Sequence, residues 1–138
     1  MNGGTTSSSA TLDVPVRLLY VLAMLNLLGL AFGIRLLANV ESGTGVSVAQ
    51  NATRFALALI SWYGIGLVVC FVLIRALQKQ KQWSFGAALL FAAVHGVGIL
   101  AAPFVGVAFF ISGALGIVLI NKLIRAKSAG AFDLPDAR

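Results

Sequence analysis

The chain has 138 residues, 59% of them hydrophobic and 10% charged, with ten Lys and Arg against four acidic residues and a net charge of +6. A soluble domain carries about 25% charged residues, and a chain of this length leaves much of its folded surface exposed, so composition excludes an ordinary water-soluble domain. The single cysteine, Cys70, excludes an internal disulfide and a CxxC-type metal or redox centre.

Residues 1–15, MNGGTTSSSATLDVP, have the small, polar composition of a flexible N-terminal tail. Asp13 and Pro15 then form a helix start, with proline at an early position where no donor is needed. The first apolar run covers 16–38. At 1.5 Å per residue it reaches roughly 34 Å, enough to cross about 30 Å of hydrocarbon. No Lys or Arg precedes Arg17, and the run outlasts the roughly 7–15 residues of a signal-peptide core, so a membrane anchor is expected.

A loop follows at 39–53. The second span covers 54–77 and closes on RALQKQKQ, with Arg75, Lys79 and Lys81. The third covers 83–101, Pro103 marks a break, and the fourth covers 104–124. Residues 126–138 form a polar C-terminal tail. The expected fold is an all-α integral membrane bundle of four transmembrane helices, its membrane domain spanning 16–125. The short link between the last two spans makes them antiparallel neighbours.

Orientation follows from the basic residues. With four spans, Arg17, Arg75, Lys79, Lys81, Lys122, Arg125, Lys127 and Arg138 share one face, and only Arg35 and Arg54 lie on the other. Eight against two places both termini in the cytoplasm, N-in and C-in, at the inner membrane. Basic residues in these positions are expected to meet anionic lipid head groups rather than nucleic acid.

Helices in lipid associate through close approach at small residues. Gly29 and Gly33 form a GxxxG pair in the first span, with Asn26 one turn earlier on the same face. Ala88, Ala92 and Gly96 recur every four residues in the third span, and Ala108, Ser112 and Gly116 in the fourth, which suits a tight hairpin of spans three and four. Packing within the chain is the simpler reading of these rows; a docking face for another membrane subunit is the sharper one.

All four acidic residues, Asp13, Glu41, Asp133 and Asp136, fall outside the expected spans. Proton-coupled cation export, which needs an ionisable group at membrane depth, is therefore not expected. The lone histidine, His95, sits in a stretch, 83–121, without Asp, Glu, Lys or Arg. The simplest expectation is a neutral ring bonded to a carbonyl or hydroxyl of a neighbouring helix, such as Ser112 or Ser61. The alternative is a cofactor-binding residue for haem, pigment or quinone. Trp62 and Tyr63 lie too deep for an interfacial belt and, with Asn26, are candidate pocket residues; Trp83 fits the interface. Arg35 and Arg54 flank the outer loop, with Glu41 or lipid phosphate as expected partners. No nucleophile–base set, phosphate loop or metal cluster is present in the sequence, so no catalytic residue, metal or cofactor is assigned.

Three stretches, LLGLAFGIRLLAN, ISWYGIGLVVCFVLIRALQKQ and GAALLFAAVHGVGILAAPF, resemble the DoxX-like group of small bacterial four-span proteins. The resemblance spans roughly residues 18 to 125 as a pattern of glycine and aliphatic placement. It implies a four-helix membrane fold and, for some members, an accessory place beside membrane oxidoreductases. Acidic residues often found near the start of the second span in that group have no match; Asn51, Thr53 and Arg54 stand there. The sequence is thus read as an accessory or stabilising subunit of a larger membrane complex. The runner-up is a small-molecule or lipid-binding or transport protein with a pocket near Trp62, Tyr63 and His95, and the third reading a cofactor holder using His95.

Overall fold

A computed structural model describes residues 6–40, 46–105 and 107–132. It is all-helical: α1 (Thr6–Val40), α2 (Val46–Gln78), α3 (Gln82–Val105) and α4 (Val107–Ser128), each carrying a stretch long and apolar enough to cross a membrane. Glu41, Asp133, Asp136 and Arg138 lie outside the described residues, and so does the expected pairing of Arg35 and Arg54 with Glu41.

The helices run past the expected spans. α1 begins at Thr6 rather than near Val16, so Pro15 is internal to the helix rather than near its start. Its missing N–H removes one i→i−4 bond, while its ring is fully buried. The extra turns have packing partners: Leu12 is buried with Ala126 and Ala131, and Phe132 packs against the same group. α2 likewise begins at Val46, within the expected 39–53 loop, and α3 runs through Pro103 to Val105. Apolar runs locate the lipid-crossing part of a helix and say little about polar turns that extend it into the interface.

The bundle consists of two antiparallel hairpins. α1 packs along α2, α3 packs along α4, and α1 against α4 joins the pairs, whereas α2 and α3 meet over a short stretch only. The core is concentrated at the end carrying the basic residues, where Leu19 and Leu22 of α1, Leu73 and Leu77 of α2, Ala88 and Ala92 of α3, and Leu119 and Leu123 of α4 form one buried cluster. Large apolar side chains such as Leu28, Ile65, Leu90 and Ile117 face outward, the inverse of a water-soluble surface.

Turn chemistry closes that end. The Lys81 N–H donates to the Ala76 carbonyl at 3.0 Å and the Gln80 N–H to Leu77 at 2.9 Å, a Schellman cap with Gln80 left-handed at φ 50°. α4 ends in the same motif, with Ala131 donating to Ala126, Gly130 to Lys127, and Gly130 at φ 76°. Phe132 then stacks at 5.2 Å on Phe85, over which Lys127 Nζ sits at 4.6 Å.

Glycine sets both hairpin seams. In α3–α4, a Cβ on Gly116 would lie 2.6 Å from the Ala92 carbonyl oxygen and 2.9 Å from the Gly96 nitrogen. A Cβ on Gly113 would lie 2.9 Å from the Ile99 nitrogen and 3.0 Å from the His95 carbonyl oxygen. In α1–α2 the contacts step along the helices: Gly29 lies under the Tyr63 ring at 2.6 Å, Gly33 against Ile60 at 3.0 Å, and Gly66 against the Asn26 amide at 2.5 Å, each distance again to an added Cβ. By contrast, nothing lies within 4 Å of a Cβ on Gly86. Replacing Gly116 with Leu should therefore cost more than about 2 kcal/mol, because backbone cannot yield as a side chain can. Gly86→Ala, inside α3 with open space around it, should instead raise stability by up to about 1 kcal/mol, and unfolding titrations from mild detergent into dodecyl sulfate read the difference.

Candidate functional site

The glycine clasp between α3 and α4 determines where His95 points. Gly113 abuts the His95 carbonyl, and Gly116 leaves an added Cβ only 3.1 Å from the His95 Cβ. The ring therefore projects along α3 toward α2. It is buried, at 5% exposure, with the Phe91 ring 4.2 Å away by centroids and Trp62 of α2 6.3 Å away. Nδ1 lies 3.0 Å from the Phe91 carbonyl oxygen, one turn back on the same helix. The expected partners on neighbouring helices do not take this role: Ser61 is exposed, and Ser112 is half-buried near the ring without a hydrogen bond to it.

The parting of α2 from α3 leaves a side-opening cavity of about 440 Å³. Trp62, Ile65, Gly66 and Val69 form its α2 wall, and Ala87, Leu90, Phe91, Val94 and His95 its α3 wall. A second cavity of about 490 Å³ lies among α1, α2 and α4, with Asn26, Gly29, Tyr63, Ala108 and Ser112 on its lining. Trp62 and Tyr63 thus serve different cavities, although adjacent in sequence. Between the two cavities is a gap of about 10 Å³, bounded by both residues together with His95, Gly98, Phe109 and Ser112. Tyr63 and Phe109 meet there edge-on at 6.1 Å.

Asn26 is a separate buried polar node. Its Nδ2 donates to the Leu22 carbonyl at 2.8 Å and approaches the Cys70 sulfur at 3.9 Å, tying α1 to α2. The thiol is free and buried. Of the small residues singled out in the sequence, Gly29 and Gly33 face α2, Ala88 and Ala92 are fully buried, and Gly96 meets Ile117. On α4, Gly116 meets α3 backbone, Ala108 is exposed, and Ser112 borders the cavities. Gly113, Gly66 and Phe91 are the positions that sequence reasoning passed over. Gly113 and Gly116 are three apart, and a search for spacing of four misses such a pair.

Compared with protein-family models, curated proteins and solved structures, the chain finds no match. Chemistry must accordingly be read from the site. Among the described residues no three His, Cys, Asp or Glu side chains come together as a metal cluster. What the arrangement offers is a hydrophobic slot between two helices, one aromatic on each flank, and a single buried imidazole.

The Asn26 node supplies a test of the α1–α2 seam. Gly66→Ala should cost about 1–2 kcal/mol by displacing an amide already held by Leu22. Adding Asn26→Ala should recover most of that loss, since the collision disappears with the amide; a double-mutant cycle in the same unfolding assay measures the coupling.

Proposed function

We propose that this chain is a multi-pass protein of the inner membrane, both termini cytoplasmic, that holds an apolar small molecule or lipid between α2 and α3. The observation that carries this reading is the contrast between seams. The α3–α4 seam is closed to backbone distance by glycine and the α1–α2 seam by side chains seated on glycine, while α2 and α3 part over about 440 Å³ lined by aromatic and small side chains. The groove is open at its side, with Ile65 and Leu90 exposed on its walls, and an apolar occupant would gain dispersion contacts along its lining. A cavity that opens sideways at membrane depth is filled from the bilayer. Its walls suit a hydrophobic guest, as ligand sites generally do, with few polar groups to orient it.

The orientation rests on charge. Arg75 and Lys79 at the end of α2, and Lys122, Arg125 and Lys127 near the end of α4, share the end where α1 carries Arg17. Only the 3.0 Å Arg17–Asp13 pair partners any of them in a salt bridge among the described residues, and that pair is exposed. Such a belt suits the cytoplasmic leaflet and its anionic lipids. Trp83, half-exposed at the start of α3, sits where an interfacial anchor belongs. The DoxX-like pattern accords with the same plan.

Two experiments test the proposal. Native mass spectrometry after mild-detergent extraction should show one small-molecule adduct, lost in Ala87→Trp, which fills the slot. A chain that instead carries stoichiometric membrane subunits and no adduct supports the accessory role. For orientation, Gln50→Cys and Gln82→Cys in a Cys70→Ala background should react differently with an impermeant maleimide. The first should label in intact cells and the second only after permeabilisation; the opposite pattern overturns the topology.

A further inference from the structure

His95 has two ring nitrogens, and the chain uses one. A carbonyl oxygen only accepts, so the 3.0 Å contact with Phe91 places the hydrogen on Nδ1. The ring is neutral, because the groups around it are Trp62, Tyr63, Phe91, Gly98, Phe109 and Ser112, none of them a carboxylate, and an unpaired charge in such surroundings is strongly disfavoured. In a neutral imidazole with hydrogen on Nδ1, Nε2 is a bare acceptor. Among the described residues no sealed side-chain nitrogen or oxygen lacks a partner. Nε2 has none, so it is open to the spaces its ring lines, the α2–α3 cavity and the adjoining gap that Tyr63 and Ser112 also border. A ring at 5% exposure thus keeps half its hydrogen-bonding capacity unused.

We propose that the α2–α3 cavity selects a neutral, largely hydrocarbon molecule bearing one hydrogen-bond donor, a hydroxyl on a ring or chain, which His95 Nε2 receives. The inference rests on the cavity holding a ligand at all. Apart from the neutral His95 ring, no acidic or basic side chain lines the cavity, so no fixed charge is there to pair with an ionised ligand. Ethers, ketones and other molecules with acceptor oxygens alone would set lone pair against lone pair. For a ring that exists in carbonyl and alcohol forms, the reduced, hydroxyl-bearing form is therefore the one retained. Trp62 and Phe91 flank the imidazole with tilted ring planes, interplanar angles 38° and 48°, and supply aromatic faces for a flat guest. Gly66 and Ala87, on opposite walls, leave room for its width.

The test uses 4-octylphenol and its methyl ether, 4-octylanisole, which lacks the donor and carries one more methyl group. The readout is the fluorescence of Trp62 in purified, full-length protein carrying Trp83→Phe, which leaves one tryptophan. The phenol should bind about fivefold tighter than the ether, the ratio expected for one net hydrogen bond. In His95→Phe, which keeps a ring and removes both nitrogens, the preference for the phenol should disappear, the ratio falling to one or below. Should that variant not fold, the ratio in otherwise unaltered protein decides alone. Equal binding of both probes overturns the donor selection and leaves the ligand-holding reading standing; tighter binding of the ether overturns it as well. Failure of both probes to bind overturns the two together. A purified chain carrying a visible chromophore that His95→Phe abolishes also overturns it, in favour of Nε2 ligating a metal-centred ring.

Discussion

Backbone contact in the absence of a hydrophobic drive is the constraint on which this bundle depends. Lipid tails are as apolar as leucine, so two helices gain from meeting only where they approach closely enough for dispersion and weak C–H···O contacts to exceed what lipid offers. Glycine permits that approach. Gly113 and Gly116 bring α4 onto the α3 backbone, whereas Gly29, Gly33 and Gly66 form recesses that take the Tyr63, Ile60 and Asn26 side chains across α1 and α2. The result is two tight hairpins rather than four equivalent helices. Their union through α1 and α4, over the leucine cluster at the basic end, leaves α2 and α3 with little to hold them together.

The position of His95 follows from that arrangement. Its backbone is trapped against α4, so its side chain has only the α2 side to enter. The bond it makes, to Phe91 one turn back, fixes the tautomer without joining one helix to another. Asn26 differs: its amide donates within α1 and also approaches Cys70 of α2, so it contributes to holding a seam. The histidine is thus dispensable to helix pairing in a way the asparagine is not. On the proposed reading, an ionisable ring in an otherwise uncharged stretch answers to what enters the cavity rather than to what holds the helices.

Sequence made the four-helix plan legible, because long apolar runs separated by polar or glycine- and proline-containing breaks admit few alternatives. Helix ends were less legible. Val46 to Thr53 and Thr6 to Pro15 are polar enough to read as loop and tail, yet both continue helices outside the apolar region. The Ala88–Ala92 row was readable from spacing alone, since period four keeps residues on one helix face. Its counterpart on α4 uses Gly113 and Gly116, and which offset meets a partner depends on the crossing angle, a property of the pair rather than of either helix. The sequence also grouped Trp62 and Tyr63 with His95; all three border the small central gap, while neighbouring residues on a helix point about 100° apart, so the two larger cavities take one each.

Rigidity and space are divided along the bundle axis. At the basic end the α2–α3 turn is pinned by two Schellman bonds, the Ser84 hydroxyl donating to the Lys81 carbonyl, and a left-handed Gln80. The C-terminal cap and Phe132 cover the same end. A guest entering between α2 and α3 therefore cannot do so by hinging that turn, where every movement would break backbone bonds in an apolar or interfacial setting. Room must come from the middle of the bundle, where α2 and α3 touch little and the partition of Trp62, Tyr63, Phe109 and His95 consists of side chains that rotate without breaking helix bonds. The same scarcity of contact that leaves α2 and α3 apart lets them adjust to what lies between them.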